Sequence, residues 1–455
     1  MYRKIKYIMT VAIGMATCGC SSFLDVKPDV KLVVPTTLED CELLMSDYNT
    51  LNTGYPTMGE IGADDYYLTD QSWSALASAD EKNGYVWLDI ALILNTQWQN
   101  SYKVIFQANQ VLTIMDGIAR QAVEAGRYSR TKGTAHFYRA FALHQLASVF
   151  ALPYEAALAE QKIGLPIREK PNLDEKTVRS TLRDTYGTII KDYRLAIAYL
   201  DPKIAVKGAP TRASAYAGLA RLYLEMRDYT NAYNYADSAL GLNSQLLDFN
   251  TLNVNAALPI ARFNKEVVFS AIGMTSTILS QGNAKIDTDL YHSYNGNDLR
   301  KKVFFKANTG VNLGSFAFKG SYDNTASGLF VGLTTSEMLL TRAEAAARTN
   351  NPVVAIQDLD VLLKTRYVTG TYVPEVFADE GQLLTSILRE RRKELVFRGR
   401  RWADLRRLNF DNSTSTSVVR TVGGEGYSLE PKSLKYAVMI PQLVIDESGI
   451  TQNAR

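Results

Sequence analysis

The sequence predicts an all-α protein, with paired helices as a scaffold, two irregular lobes set into it and few short strands. Three observations carry this. Apolar residues recur at three- and four-residue spacing along most of the chain, the pattern of helices with one buried face. The helical stretches lie close together in sequence, as antiparallel hairpins require. Two stretches, roughly 50–90 and 250–330, break the pattern and are rich in Gly, Asn, Asp, Ser and Tyr.

The elements follow in order. A helix over 98–118 carries Trp98, Tyr102, Ile105, Phe106, Leu112 and Met115 on one side. A stronger one over 133–150 carries Phe137, Phe141, Leu143, Leu146 and Phe150, and Pro153 stops it. The next spans 181–200, with Arg179-Ser180 as its expected cap and Asp201-Pro202 as its end. Further helices fit 212–226, 229–240, 335–348, 352–366 and 382–398, and Asn351-Pro352 reads as a start with Pro in the first position. Glu266 to Ser270 reads as a short strand. Leu219, Ala220, Tyr223, Ala232 and Ala239 have the small/large spacing of a tetratricopeptide repeat, although Ala236 stands where a large aromatic is usual. Ala343, Ala346, Ala355 and Leu359 form a weaker copy. Helical repeats are thus expected over roughly 95–245 and 335–408.

The first residues predict a destination. Arg3, Lys4 and Lys6 precede an apolar run from Tyr7 to Ala16, the layout of a secretory signal. That run is shorter than the roughly 20 residues needed to cross a bilayer. Thr17-Cys18-Gly19-Cys20-Ser21-Ser22 resembles a lipobox. Gly19 is smaller than Thr17, so Cys20 is preferred over Cys18 as the acylated first residue. Residues 1–19 are then a signal peptide and 20–455 the mature domain, anchored by lipid. Losing three positive charges takes the net charge from +3 to 0. No basic stripe for nucleic acid is required. Cys41 is left with no partner, so no disulfide framework is expected.

Catalytic motifs are missing from the sequence. There is no H-E-x-x-H, G-x-S-x-G, Walker loop or dinucleotide fingerprint. Asp64 and Asp65 are sequence neighbours rather than a spaced carboxylate pair of the kind a glycosidase uses. No catalytic residue, metal or cofactor is therefore assigned. Binding is easier to place. Amphipathic aromatics stack with one face and hydrogen-bond at the tip. Tyr66, Tyr67 and Trp73 stand beside Asp64, Asp65 and Asn83 in the first lobe, and Tyr291, Tyr294, Asn295, Asn297 and Tyr322 in the second. If the fold joins the lobes, these make an aromatic platform with polar edges. Trp87, Trp98 and Trp402 read as core, and the charged run around Glu390 and Glu394 as ion pairs within the fold.

Several motifs resemble the SusD/RagB family of outer-membrane nutrient-binding lipoproteins. They are Phe23-Leu-Asp-Val-Lys-Pro28, Trp98-x-x-x-Tyr102-x-x-Ile105-x-x-Ala108-Asn109, Ala135-His-Phe-Tyr-Arg139 with Pro153-Tyr154, and Arg389-Glu-Arg-Arg-Lys-Glu394 continuing through Gly399 to Trp402, Asp404 and Leu405. The late Tyr436, Ile440-Pro441 and Gln452-Asn453 follow in the family's order. Arg398 departs from it, standing where an acid is usual, and Gly164-Leu-Pro166 replaces the usual Gly-Asp-Val-Pro. The resemblance implies a SusD-like fold of tetratricopeptide-like hairpins supporting an irregular ligand-binding lobe. It also implies an outer-membrane location facing outward, an oligosaccharide ligand or in some members a peptide, and a SusC-like TonB-dependent transporter as partner. A lipid-anchored glycan hydrolase is the alternative from another class.

Overall fold

Apolar periodicity becomes packing in a single run of helices. In the computed structural model, which describes residues 35–202 and 206–455, eight long helices form the scaffold. They are α1 (Thr96–Gly117), α2 (Ala125–Phe150), α3 (Leu182–Tyr199), α4 (Arg212–Glu225), α5 (Tyr229–Leu242), α6 (Thr335–Arg348), α7 (Pro352–Lys364) and α8 (Glu380–Glu394). Each of α1 to α6 packs against the next, and α6 also packs on α7 and α8. The contact between α5 and α6 closes over the second lobe, which is therefore an insertion in a continuous helical stack. The protein is all-α apart from five two-stranded antiparallel pairs among the described residues.

Most helix bounds match the periodicity, and the differences have local causes. α2 begins at Ala125, before the expected Gly133, because its first two turns are mainly polar and part-exposed and carry no apolar rhythm. Beyond Gly133 it is buried almost all round, and Phe137 and Phe141 both pack edge-on against Phe269. The cap of α3 is Thr181, not Arg179-Ser180; its hydroxyl accepts from the Asp184 amide. α8 stops at Glu394 rather than 398, where the chain turns through left-handed backbone at Phe397 (φ 53°) and Gly399 (φ 66°). Asn351 caps α7 with Pro352 behind it, as expected.

Small residues set the helix spacing in the repeat. A Cβ on Gly218 would lie 2.5 Å from the Tyr193 ring, so α3 and α4 approach at this distance only because α4 has a glycine there. Cys41 is buried and free, and burial pushes its thiol up to about 11. Among the described residues no helix is long and apolar enough to cross a membrane. Cys20 and the signal lie outside the described residues.

The charged run around residue 390 is the interior of the molecule. Arg300 donates to Asp298 and Glu390 at 2.7 and 2.6 Å and lies 3.5 Å from Glu394. Arg366 joins Glu394 (2.8 Å) to Glu266 (2.9 Å), and Lys393 joins Asp298 to Glu390. Arg391 and Arg407 share Asp404. Arg398 makes no ion pair. Its guanidinium lies 3.3 Å over the Tyr322 ring, and the Tyr322 hydroxyl donates to Glu266. An aromatic face thus receives the guanidinium, although its Nε and Nη2 find no hydrogen-bond partner among the described residues.

Candidate functional site

The fold brings the two irregular lobes together. The strand Tyr66–Tyr67 pairs with Lys285–Ile286, setting Tyr67 opposite Lys285. The Asp287 amide continues the join by donating to the Asp65 carbonyl at 2.9 Å. Arg392 at the end of α8 then clamps both lobes, donating to the Asp64 carbonyl, to Asp65 Oδ1 at 2.9 Å and to Asp287 Oδ1 at 3.4 Å. Arg401 takes the Asp64 carboxylate in a two-pronged contact at 2.6 and 2.8 Å, which holds that carboxyl well below its usual range.

The expected site residues divide into frame and surface. Tyr66, Tyr294 and Tyr322 are 3%, 1% and 0% exposed, and their hydroxyls are spent on Ile61 O, Lys393 O and Glu266. Asp65 is buried against Arg392. These four hold the lobes in shape. Tyr67, Trp73, Tyr291 and Asn295 reach the surface. Trp73 sits on the short helix Asp70–Ser74, with the Lys82 ammonium 5.7 Å from its ring centre and the hairpin turn at Gly423 beside it. Asp70 holds that turn by accepting from the Gly423 amide at 2.8 Å.

Tyr291 is not a bare ring. Phe316 stacks on it with centroids 3.5 Å apart and planes 14° from parallel, and the Lys301 ammonium lies 4.6 Å from the Tyr291 centre. With Phe316 filling one face and the ammonium close by, the surface available for stacking belongs to the Tyr291–Phe316 pair, not to Tyr291 alone. Lys301 also donates to the Tyr294 carbonyl at 3.0 Å, next to Asn295. Asn295 donates to the Tyr367 hydroxyl, and Tyr367 packs against Tyr372 with centroids 5.4 Å apart. The part-exposed aromatic surface therefore runs from Phe316 through Tyr291 toward Tyr367 and Tyr372.

Sequence reasoning missed Phe316, Tyr367 and Tyr372. Phe316-Ala-Phe318 has period two, so both rings share one strand face, and that was the available signal. Tyr367 and Tyr372 follow a helix end and join the lobe through long-range contacts, the bridge between Asp298 and Tyr367 and the bonds of Asn295 and Asn297 to Tyr367 and Val368, which no local pattern announces.

The remaining candidates for chemistry are engaged in structure. His136 Nδ1 meets Asp192 at 2.8 Å, and Arg139 holds the same carboxylate. His144 lies buried between Tyr193 and Glu225, and burial lowers its pKa. Among the described residues no group of three or more His, Cys, Asp or Glu is arranged to hold a metal. Trp87, Trp98 and Trp402 are buried, as their patterns predicted.

One buried acid stands apart. Glu60 is inside the first lobe, and neither of its oxygens finds a hydrogen-bond partner. Burial, then the nearby Asp65, push its carboxyl up to about 8. The folded protein therefore holds a proton that the unfolded chain releases near pH 4.5, and stability falls as pH rises from about 4.5 to 8. Glu60→Gln is expected to be more stable than the parent at pH 8, with the gap closing toward pH 5. The slope is at most about 1.4 kcal/mol per pH unit. Urea melts across that range measure it, and a gap that widens toward pH 5 contradicts it.

The architecture is a helical-repeat scaffold that carries an irregular, aromatic-faced lobe. Residues 22–224 match a SusD-like family model described as starch-binding and associating with the outer membrane, and residues 249–438 match the SusD family model. The chain belongs to the SusD family. Solved structures share the fold. A SusD superfamily protein from Bacteroides thetaiotaomicron is 22% identical, with a TM-score of 0.75 over 92% of this chain and 100% of its own. Surface glycan-binding protein A from Bacteroides fluxus is 18% identical, with a TM-score of 0.69 over 92% of this chain and 99% of its own. A SusD-like carbohydrate binding protein from Bacteroides vulgatus is 18% identical, with a TM-score of 0.68 over 91% of this chain and 97% of its own. No curated protein matches the chain.

Proposed function

We propose that this protein binds an oligosaccharide at the outer face of the outer membrane, tethered by lipid on Cys20, and passes it to a SusC-like TonB-dependent transporter without covalent chemistry. Membership of the SusD family carries this reading. The surface supports it. A sugar ring offers an apolar C–H face, and the Tyr291–Phe316 stack offers a flat apolar partner, with Asn295 and the Lys301 ammonium at its edge for hydroxyls. Tyr67 and Trp73 would extend the contact along the joined lobes. Capture needs no nucleophile or general acid, and the buried His136 and His144 are engaged by Asp192 and Glu225.

Phe316→Ala is expected to weaken glycan binding at least tenfold, about 1.4 kcal/mol, with the melting temperature close to the parent's. Screening the mature protein against a glycan and peptide array, followed by calorimetry on the variant, measures this. Binding of peptides with no glycan would replace the glycan by a peptide ligand. Chain shortening of a bound glycan would make the protein a hydrolase. Recovery of a transporter in pull-downs from gently solubilised outer membranes tests the partner.

A further inference from the structure

The lobe around the aromatic stack has a charge of its own. Residues 285–319 hold six basic residues (Lys285, Arg300, Lys301, Lys302, Lys306 and Lys319) and three acidic ones (Asp287, Asp289 and Asp298). Arg300 and Asp298 neutralise each other in the interior, and Asp287 is engaged by Arg392. Among the described residues none of the five lysines has a carboxylate within ion-pair distance. Lys285, Lys301 and Lys319 donate to backbone carbonyls, which leaves their charge uncancelled; Lys301 makes one such bond, to Tyr294, and keeps its other two protons.

Position matters as much as number. Lys301 stands against the Tyr291 ring and is part-exposed, and Lys302 beside it is exposed. Most acids of the neighbouring first lobe are engaged elsewhere. Glu60, Asp65 and Asp80 are buried, Asp64 is taken by Arg401 and Asp89 by Arg455, Glu81 accepts from the Thr277 and Ile278 amides, and the exposed Asp70 accepts from the Gly423 amide beside Trp73. Asp289 is the exposed acid of this stretch, against Lys301, Lys302 and Lys306, so the binding surface at the stack is locally positive on a chain whose mature charge is close to zero. An uncancelled cationic surface beside an aromatic stack attracts a polymer bearing regular negative charge and gives a neutral one no electrostatic gain.

We propose that the ligand held at the Tyr291–Phe316 stack is an anionic glycan, one bearing uronate carboxylates or sulfate esters, and that Lys301 selects it. This rests on the glycan-binding reading above. The stack receives the apolar face of a sugar ring, and the Lys301 ammonium meets the carboxylate or sulfate of that residue or the next. Lysine suits this role as a mobile point charge, where an arginine would demand a fixed two-pronged geometry.

The test compares matched pairs by calorimetry on the mature protein: polygalacturonate oligosaccharides against their methyl esters, and dextran sulfate against dextran. Binding of the acidic member at least tenfold tighter than its neutral twin is expected, and the pair that shows it separates carboxylate from sulfate. That affinity should fall between 50 and 300 mM salt, drop about tenfold in Lys301→Met and be lost in Phe316→Ala. Lys302→Met, also at the surface, reports the general field. Equal binding of neutral and acidic members, with Lys301→Met unaffected, overturns the charge selection and leaves the glycan reading standing. Polyanion binding that survives Phe316→Ala is non-specific attraction and also overturns it. Failure of every glycan, neutral or acidic, removes the glycan reading itself.

Discussion

Arg366→Ala is expected to destabilise the protein by about 3–5 kcal/mol, the cost of removing one partner from a buried ion pair. Arg366 is fully buried and is the link between two carboxylates from distant parts of the chain, Glu266 at the start of the second lobe and Glu394 at the end of α8. Its Nη1 also donates to the Leu247 carbonyl at 2.7 Å, and its guanidinium lies 4.2 Å over the Phe249 ring. Without it, Glu394 keeps only Arg300 at 3.5 Å. Glu266 keeps the Leu247 amide and the Tyr322 and Ser336 hydroxyls, none of them charged, with the unpaired Arg398 guanidinium as the positive charge left nearby. Two buried carboxylates then face too little positive charge. The double variant Arg366→Met with Glu266→Gln should recover part of the loss, because it removes one stranded charge and retains some packing. Urea unfolding with an unchanged m-value is the measurement. A shift below about 0.5 kcal/mol would mean that the pair is replaced by water at no cost, and the account of the interior would fail.

Arg420→Ala is expected to cost a similar amount, about 3–5 kcal/mol, for a different reason. This side chain touches no carboxylate. It is buried and donates to the Ile61, Ala63 and Tyr85 carbonyls, and its guanidinium lies 3.7 Å over the Tyr85 ring and 4.7 Å over Trp87. Burial holds its pKa below the usual arginine value. The carbonyls belong to the ends of two short helices, Met58–Gly62 and Ala79–Tyr85, so one arginine caps both and joins them to the strand Val418–Val422. Truncation leaves buried acceptors unpaired at about 1–3 kcal/mol each, and an empty slot between aromatic rings. Lysine should not rescue it, since one ammonium cannot span three carbonyls in this plane. Thermal melting gives the size of the effect, and limited proteolysis its place, with new cleavage expected within residues 60–90. A variant that melts with the parent and resists protease would refute the capping role.

Much of the scaffold was legible because helices write their buried face into a short window. Phe137 and Phe141 announced α2, and Asn351-Pro352 announced the start of α7. What was hidden lay where the informative partner is distant. Nothing near Phe397 says that a left-handed turn ends α8, whereas the cap of α3 was within reach, since Thr181-Leu-Arg-Asp184 has the spacing of a capping box. The site shows the same division. Aromatic content located the lobes, and their joining through Tyr67 and Lys285 made them neighbours. Which tyrosines point inward was not readable, since Tyr66 and Tyr67 differ only in the side of a two-residue strand they occupy. Tyr294 and Tyr322 were equally opaque, because their inward position depends on Lys393 and Glu266. The charged motif was read correctly as ion pairing, although its partners Asp298, Arg300 and Arg366 come from elsewhere in the chain.

The clamp made by Arg392 has a consequence in time. It fastens residues 64, 65 and 287, yet it is synthesised long after them. A chain delivered N-terminus first exposes both lobes before it owns the residue that locks them together. A product ended before Arg392 would carry most of the helices and the strand pair between the lobes while lacking the clamp that fastens them. Such an arrangement makes the fastening of the two lobes wait for the completion of α8.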